Sequence, residues 1–464
     1  MLRRLVLGIA IAGLFGSAAF AAETLLAGVR RVDITPPPGV VATWGYGAWN
    51  SHAFAKGALD PLYAHVLYLR GSNGQAFVWV DLDCGRTPGI PTLDRMRQQV
   101  ADAVPHVFFS ATHTHSGPFW QDDFSGAEIP SWEQEIERRI ISAIREASAA
   151  ARPVKVGFSF GSAVIGYNRR LVRADGSVTM LGGIDGNRGA VANGPTDPTF
   201  AVLRFDDAAT GEPLAIVLNA TAHPVIRTER DMFSADYPGV VRARVSAAFP
   251  SRPVCFFLQG AAGDINPQRP RGTDAAADDG VRQLGELLGS QVIAVAQSIR
   301  TNTPQSGTLQ VISDELPVAP RWPDADFNRD FSTFRGYVDH IKTYPRMPLV
   351  TILIDGEIAW AAFPGEFFVE LQTSFRARSP LAKTLFVGYS NGYFGYFPTI
   401  EAAATGGYGG NNIMAGVELG AGEAMVNRAL IDLDRMLGRL RDRPVKSGEP
   451  YSPTWQRSEM QAGK

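Results

Sequence analysis

Apolar runs of strand length alternate with helical patterns along most of this chain, and this alternation limits its fold more than any other feature. The strand-like runs read LLAGVRRVDIT, YAHVLYLRG, AFVWVDLD, VFFSA, VKVGFSF, TFAVLRF, LAIVLNATA, VCFFLQ, LVTILI, EIAWAAF and TLFVGYS. Helical periodicity marks LDRMRQQVADAV, WEQEIERRIISAIREASAA, DYPGVVRARVSAAF, VRQLGELLGSQVIAVAQSI, FFVELQTSFRAR and VNRALIDLDRMLGRLR. Asp355-Gly356 and the segment DAATGEPLA are hairpin signals. The mixture predicts an α/β (α+β mixed) fold, a single layered domain with a large mixed β-sheet flanked by helices.

The two ends of the chain differ in character from its middle. Residues 1–21 carry Arg3 and Arg4, then an apolar stretch, then small residues ending at Ala21. This is the pattern of a cleaved secretory signal, and the apolar stretch is short for the alternative, an uncleaved membrane anchor. Residues 446–464 are polar, which predicts a loose C-terminal tail. We therefore expect an exported protein, periplasmic or secreted, with its single domain in residues 22–445.

Charge and cysteine content exclude several classes of protein. The net charge of −2 provides no basic excess for binding nucleic acid. Export would permit a disulfide, but Cys84 ends one strand-like run whereas Cys255 begins another. In neighbouring parallel strands the two thiols would lie at opposite ends, beyond the roughly 7 Å limit for bridging. Both cysteines are predicted to be free and buried, and two such residues cannot build a metal site.

Three of the seven histidines stand where apolar runs end. His113 and His115 follow VFFSA, and if the extended backbone persists through them, both imidazoles face the same way. His223 follows LAIVLNATA. A single histidine of this kind is more often a structural residue than a ligand. A His-x-His pair with a third strand-end histidine makes a metal site an equal alternative, because imidazole is a common zinc ligand.

Two carboxylates and a tyrosine-rich stretch also follow strand-like runs. Asp264 lies in QGAAGDINPQ, where small residues allow close approach to a ligand, although an Asx turn explains it equally well. In AFPGEFF we expect Glu366 to open a helix, where a carboxylate is favoured by the helix dipole in any case. The segment VGYSNGYFGYFPT contains Tyr389, Tyr393 and Tyr396, a composition typical of packing or of a substrate wall.

Two weaker features complete the pattern. Asp81 and Asp83 alternate at the end of AFVWVDLD, which allows a second, hard cation. The more common explanation is that one of them supports a neighbouring site and the other belongs to a turn. The aromatic and glycine-rich segment 44–54 either lines an entrance to the site or packs against the domain.

Six motifs, taken together and in order, resemble the successive motifs of the neutral/alkaline (non-lysosomal) ceramidase family. They are SATHTHSGP, GYNRR, TAHP, QGAAGDINP, FPGEF and GYSNGYFGYFPT, and the resemblance extends over roughly residues 25–440. That family consists of secreted or surface zinc amidases that cleave the N-acyl bond of sphingolipids. The resemblance implies one zinc ion, Zn²⁺, held by four residues, namely His113, His223, Glu366 and Tyr396. It further implies three residues facing the substrate, namely His115, Arg169 and Asp264.

The chain departs from the family pattern at two points. Asn266 stands where the ceramidases have their active-site serine, and an amide can donate a hydrogen bond but cannot act as a nucleophile. Hydrolysis by a metal-activated water does not need that serine. The family's C-terminal β-sandwich has no counterpart in this sequence, so a single-domain relative is expected.

The leading prediction is therefore an exported zinc-dependent hydrolase of a linear amide bond. Its substrate would be a small molecule or a lipid carrying an N-acyl group, with peripheral membrane contact as an option. Two alternatives stay open: a metal-dependent ester or phosphoester hydrolase, and a non-catalytic exported protein that binds a lipid or glycan. The sequence does not predict an oligomeric state.

Overall fold

The computed structural model describes residues 24–45, 53–120, 128–173, 175–180, 194–228, 230–269, 271–273, 275–322, 345–412 and 414–440. The expected secretory signal, the C-terminal tail and most of the segment 44–54 lie outside these described residues. Within them, no helix combines the length and the apolar character that a membrane span requires.

The described residues form strands and helices in the mixed order that the sequence predicts. The strands are β1 (Leu26–Asp33), β2 (Tyr63–Arg70), β3 (Ala76–Leu82), β4 (Val107–Ala111), β5 (Arg152–Ser162), β6 (Gly166–Asn168), β7 (Arg170–Val172), β8 (Val178–Met180), β9 (Thr199–Asp207), β10 (Pro213–Ala220), β11 (Val254–Gln259), β12 (Ile265–Pro267), β13 (Leu309–Pro317), β14 (Arg346–Ile354), β15 (Ile358–Ala362), β16 (Glu366–Phe367), β17 (Lys383–Val387) and β18 (Tyr396–Phe397). The helices are α1 (Ile90–Val100), α2 (Ser131–Ala149), α3 (Asp236–Ala247), α4 (Ala275–Ser298), α5 (Val369–Arg378), α6 (Ile400–Thr405) and α7 (Ala421–Met436).

The largest sheet has eight strands in the order β11-β10-β9-β5-β1-β2-β3-β4. Its neighbours are antiparallel except for β3 with β4 and β10 with β11, which are parallel. A second sheet has the order β13-β14-β15-β17, and its β15 and β17 are parallel. The predicted large mixed sheet is confirmed. The sequence pattern did not show that four of the strands form a second, separate sheet.

The two sheets pack face to face, and helices cover their outer faces. Alternate residues of β3 show the arrangement, because successive side chains of a strand point to opposite faces. Trp79 points inward, and its ring centroid lies 4.5 Å from that of Trp360 on β15. Val78 and Val80 point outward into the cluster that α1 and α2 cover. Helices α3 and α4 cover the β9–β11 end of the large sheet, while α5 and α7 cover the small sheet.

The local predictions mostly hold, with one long strand missed. Asp355 and Gly356 both have positive φ, at 54° and 69°, and lie with Glu357 in the three-residue turn that joins the antiparallel strands β14 and β15. The turn in DAATGEPLA joins the antiparallel strands β9 and β10, so both hairpins are confirmed. Cys84 and Cys255 are free and buried, as predicted. Strand β13 was not predicted, since its alternating sequence LQVISDELP presents charges along the edge of the small sheet.

Asp81 and Asp83 form a buried charged cluster with one arginine of α3. Arg242 Nη2 donates a hydrogen bond to Asp83 Oδ1, and Arg242 Nη1 lies 3.9 Å from Asp81 Oδ2. Asp81 also accepts hydrogen bonds from Ser110 Oγ at 2.9 Å and from the backbone N–H of Phe257 at 3.1 Å. The positive charge beside these two carboxylates is therefore the guanidinium of Arg242. It occupies the position where the sequence allows a second metal cation.

This cluster predicts how the stability of the fold depends on pH. Burial raises the pKa of Asp81 to about 7, against the opposing effect of Arg242. The folded state therefore binds this proton more tightly than the unfolded chain, and the stability so gained is lost as the pH rises from about 4 to about 7. The unfolding free energy of the wild type should therefore decrease between about pH 4 and about pH 7. Asp81→Asn lacks this titrating group, so its decrease over the same range should be smaller, by about 2 to 4 kcal/mol. Urea denaturation at pH 4.5 and pH 7.5 measures it, and equal pH dependence in the two proteins would contradict it.

Candidate metal centre

His113 and His115 lie in the loop that follows β4, and their side chains meet. The extended backbone does not persist to residue 115, because β4 ends at Ala111 and His113 adopts a φ of 65°. A left-handed conformation is uncommon for a residue other than glycine and is found disproportionately at functional sites. The two Nε2 atoms nevertheless lie 3.2 Å apart. A turned loop, rather than the alternation of a strand, brings the two imidazoles together.

Two of the histidines are held by backbone carbonyls through the nitrogen that faces away from the centre. Nδ1 of His113 contacts the carbonyl oxygen of Gly85, and Nδ1 of His223 lies 3.1 Å from that of Ile265. A carbonyl only accepts, so we assign each proton to Nδ1, which leaves Nε2 with a free lone pair. Metal-binding histidines are typically oriented by a partner of this kind. A Cβ at Gly85 would lie 2.1 Å from the Trp44 ring, so only glycine lets the chain at residue 85 pack this closely against Trp44.

Glu366 reaches the histidines from a strand. The prediction that it opens a helix is wrong: Glu366 begins β16, and α5 starts only at Val369. Pairing with β18 keeps this residue extended, and Tyr396 is its direct partner in the parallel register. Glu366 Oε2 lies 3.0 Å from His223 Nε2 and 3.5 Å from His113 Nε2. The second carboxylate oxygen accepts a hydrogen bond from the Tyr393 hydroxyl.

These separations fit the ligand shell of a small divalent ion. Zinc bonds of about 2.0 to 2.1 Å in a tetrahedral arrangement place neighbouring ligand atoms about 3.4 Å apart. The ligand atoms of His113, His115 and His223 all lie within 4.8 Å of one another, and among the described residues they form the histidine group able to hold a metal ion. Two donor sets are thus present. Both contain His113 and His223, and they differ in whether Glu366 or His115 completes them.

The charge states at the centre suit metal binding. Burial would raise the pKa of Glu366, but His113 and His223 outweigh it and hold that pKa well below its usual value. Burial lowers the pKa of His223 to about 4, and burial together with the neighbouring histidines lowers that of His115 as well. The centre therefore combines the ionised Glu366 with neutral imidazoles at His115 and His223, which is the protonation state that a metal ligand needs.

The tyrosines of VGYSNGYFGYFPT surround the histidines. Tyr389 stacks on His113, with ring centroids 4.2 Å apart, and its hydroxyl is buried without a hydrogen-bond partner in the described part of the chain. Tyr393 is bound to Glu366, a role that composition alone did not reveal. Tyr408 was also not predicted, and its ring centroid lies 5.4 Å from that of Tyr396. The only sequence signal for these site tyrosines was the cluster of hydroxyl-bearing aromatic residues in a loop that follows a strand.

Arg169 joins the loop of Asn266 to the tyrosines. It follows β6, which pairs with β12, so that Tyr167 lies opposite Asn266. One guanidinium nitrogen donates to Tyr396 Oη at 2.9 Å and to the carbonyl of Gly263 at 2.6 Å. The other donates to Asn266 Oδ1 at 3.3 Å. A buried cation is therefore fixed directly beside the phenol of Tyr396, the residue that pairs with Glu366 in the strand register.

The Asp264 carboxylate is engaged by two hydrogen bonds of its own. Its two carboxylate oxygens accept from Asn168 Nδ2 at 2.6 Å and from the backbone N–H of Val369 at 2.9 Å. Burial raises its pKa to about 6, and these two donors oppose that rise. The carboxylate ties the loop of β6 to the first turn of α5, and both oxygens are already engaged.

Fold and site together define a mixed α/β protein with a buried centre of histidines and one glutamate able to hold a metal ion. Its fold is similar to that of the neutral ceramidase from Pseudomonas aeruginosa, at 19% sequence identity and a TM-score of 0.70, covering 93% of this chain and 77% of that chain. It is similar also to a structure described as ceramidase complexed with C2, at 18% identity and the same TM-score, covering 93% of this chain and 78% of that chain. No protein-family model matches the sequence, and no curated protein does.

Proposed function

We propose that the protein is an exported zinc-dependent hydrolase of linear amide bonds, related to the neutral ceramidases. One observation carries the proposal: Nε2 of His113, Nε2 of His223 and Oε2 of Glu366 converge in a buried centre, within a fold similar to that of a neutral ceramidase. The substrate class is a molecule with an N-acyl group, such as a lipid. Ceramide is one member of that class.

The proposed zinc ligands are His113, His223, Glu366 and Tyr396. The first three already lie at separations suited to a shared ion, and Tyr396 is supported by its register with Glu366. A bound zinc ion would supply a hydroxide nucleophile near neutral pH and polarise the substrate carbonyl. Tyr396 would bind as the phenolate. Burial raises its pKa well above the usual value, whereas Arg169 lowers it and so favours that form.

The remaining residues act on protons and on substrate charge. His115 is half-buried, is neutral and is not held by the carbonyl contacts that fix the other two histidines, so we assign it to proton transfer between the attacking water and the leaving amine. Asp264 was the other candidate for this step, and its two engaged oxygens favour His115. Arg169 would bind the developing oxyanion. Asn266 orients Arg169 through Oδ1 and takes no part as a nucleophile.

The function is tested on protein purified without added metal. We expect about one zinc ion per chain, and hydrolysis of an N-acyl amide that a chelator abolishes and added zinc restores. Matched substrates with the same acyl chain in ester and phosphoester linkage form the comparison. Turnover of those alone would favour the ester or phosphoester hydrolase, and bound zinc without any turnover would favour the binding protein. The mass of the mature chain checks the proposed cleavage after residue 21, and limited proteolysis checks the proposed domain over residues 22–445.

A further inference from the structure

The hydroxyl of Tyr393 binds one carboxylate oxygen of Glu366 while the other oxygen contacts the histidines. Oε2 lies 3.0 Å from His223 Nε2 and 3.5 Å from His113 Nε2, whereas Oε1 accepts a hydrogen bond from Tyr393. An ionised carboxylate can only accept, so the phenol is the donor. Tyr393 and Glu366 are only 6% and 2% exposed, and a hydrogen bond to an ionised acceptor is among the stronger kinds. This contact therefore fixes which oxygen of Glu366 is presented to the histidines.

The segment that carries Tyr393 also holds the backbone of Glu366. The N–H of Glu366 donates to the carbonyl of Gly395 at 2.7 Å, and Glu366 pairs with Tyr396 in the parallel register of β16 and β18. One short stretch, residues 393–396, thus fixes both the backbone and the carboxylate of this residue. A ligand whose backbone and second oxygen are both held is oriented before any metal ion arrives.

The ring of Tyr393 is itself fixed by packing. Trp44 meets it edge-on, with ring centroids 5.6 Å apart and an interplanar angle of 88°. The same Trp44 ring packs closely on Gly85, whose carbonyl oxygen contacts Nδ1 of His113. A single buried tryptophan therefore supports the group that orients Glu366 and the group that orients His113.

We propose that Tyr393 is a positioning residue that selects the donor set of the metal centre. By holding Oε1 it limits Glu366 to one ligand oxygen and keeps that oxygen beside the Nε2 atoms of His113 and His223. Glu366 then completes the donor set, and His115 stays free for proton transfer. Without this hydroxyl the carboxylate is released on one side, and His115, whose Nε2 lies 3.2 Å from that of His113, takes its place. The inference rests on the proposed zinc site, and zinc binding rather than turnover tests it.

Tyr393→Phe removes the hydroxyl and keeps the ring that packs on Trp44. Tyr389→Phe is the matched control, because the Tyr389 ring stacks on His113 while its buried hydroxyl has no hydrogen-bond partner among the described residues. Competition with a chromophoric chelator measures zinc affinity in each variant, alone and combined with His115→Ala. We expect Tyr393→Phe to weaken zinc binding about 10- to 100-fold, the usual cost of losing a partner that orients a ligand. Tyr389→Phe should leave zinc affinity unchanged.

The combination with His115→Ala is the decisive measurement. Alone, His115→Ala should leave zinc affinity nearly unchanged. In the Tyr393→Phe background it should weaken zinc binding by a further factor of about 10 or more, a coupling of the size found between residues of one network. The visible spectrum of the cobalt-loaded protein should also change in Tyr393→Phe and not in Tyr389→Phe, because an imidazole nitrogen replaces a carboxylate oxygen. Circular dichroism of the metal-free proteins checks that each one folds.

Three results would overturn the proposal. The first is zinc affinity in Tyr393→Phe equal to that of the wild type. The second is additive effects of Tyr393→Phe and His115→Ala with an unchanged cobalt spectrum, which would make the hydroxyl a source of stability alone. The third is loss of zinc in His115→Ala with Tyr393 intact. Each of them leaves amide hydrolysis by the wild type to be judged separately, and zinc affinities as expected without any hydrolysis would contradict the proposed function alone.

Discussion

Alanine at His113 or at His223 is expected to reduce bound zinc to background and to abolish amide hydrolysis. Each variant removes an Nε2 atom that faces Glu366, so the weakening of metal binding should exceed the roughly 10- to 100-fold that loss of an outer partner costs. His115→Ala should keep its zinc and lower kcat by about 100- to 10,000-fold, the usual contribution of a general acid or base. The three histidines would thus divide into two ligands and one proton carrier.

Elemental analysis and single-turnover kinetics on the same preparations measure this division. His106→Ala is the matched control, since His106, like His115, is a partly buried histidine next to β4, but it lies outside the centre. Circular dichroism shows whether each variant folds. Loss of zinc in all three site variants, with His106→Ala unaffected, would mean that the metal is held by the three histidines together and that His115 is a ligand.

Sequence patterns could predict the strands that form the two sheets because those strands are continuous apolar runs. Strand β10, whose eight residues are all buried, is of this kind. Strand β13 was missed because only part of it is buried, and its alternation with charged residues resembles a loop. The paired segments β6, β12, β16 and β18 have two or three residues each, too few to show any periodicity. They exist because of the partner strand, which lies far away in sequence.

The candidate site was predictable in its residue types but not in its geometry. His113, His223 and Glu366 lie together as a shared metal would require, yet two of the three are not where simple periodicity would put them. His113 turns the chain through a positive φ, and Glu366 is on a strand rather than a helix. The carbonyls of Gly85 and Ile265, which select the histidine tautomers, come from other segments of the chain. Contacts of this kind depend on the folded structure and leave no pattern in the sequence.

Replacing Arg169 with methionine is expected to lower kcat by about 100- to 1,000-fold, the usual cost of losing one group that stabilises an oxyanion. The side chain keeps most of its apolar length but loses the cation beside Tyr396. Arg169 opposes the burial that raises the pKa of Tyr396, so its removal raises that pKa further. If Tyr396 binds zinc as the phenolate, the pH at which zinc binding reaches half its maximum should move upward in the variant.

Zinc titrations and kcat measured between pH 6 and pH 9 separate the two effects. Arg170→Met provides the comparison, because Arg170 is also buried but its guanidinium binds the carbonyl of Ala402 and the hydroxyl of Thr405 at the end of α6. We expect that variant to lose stability while keeping the pH dependence of zinc binding. A fall in kcat without any shift in the zinc titration would mean that Arg169 acts on the substrate and that Tyr396 is not a zinc ligand. A shift in the zinc titration without a fall in kcat would mean that Arg169 acts only on the pKa of Tyr396. Another hydrogen-bond donor would then have to stabilise the oxyanion.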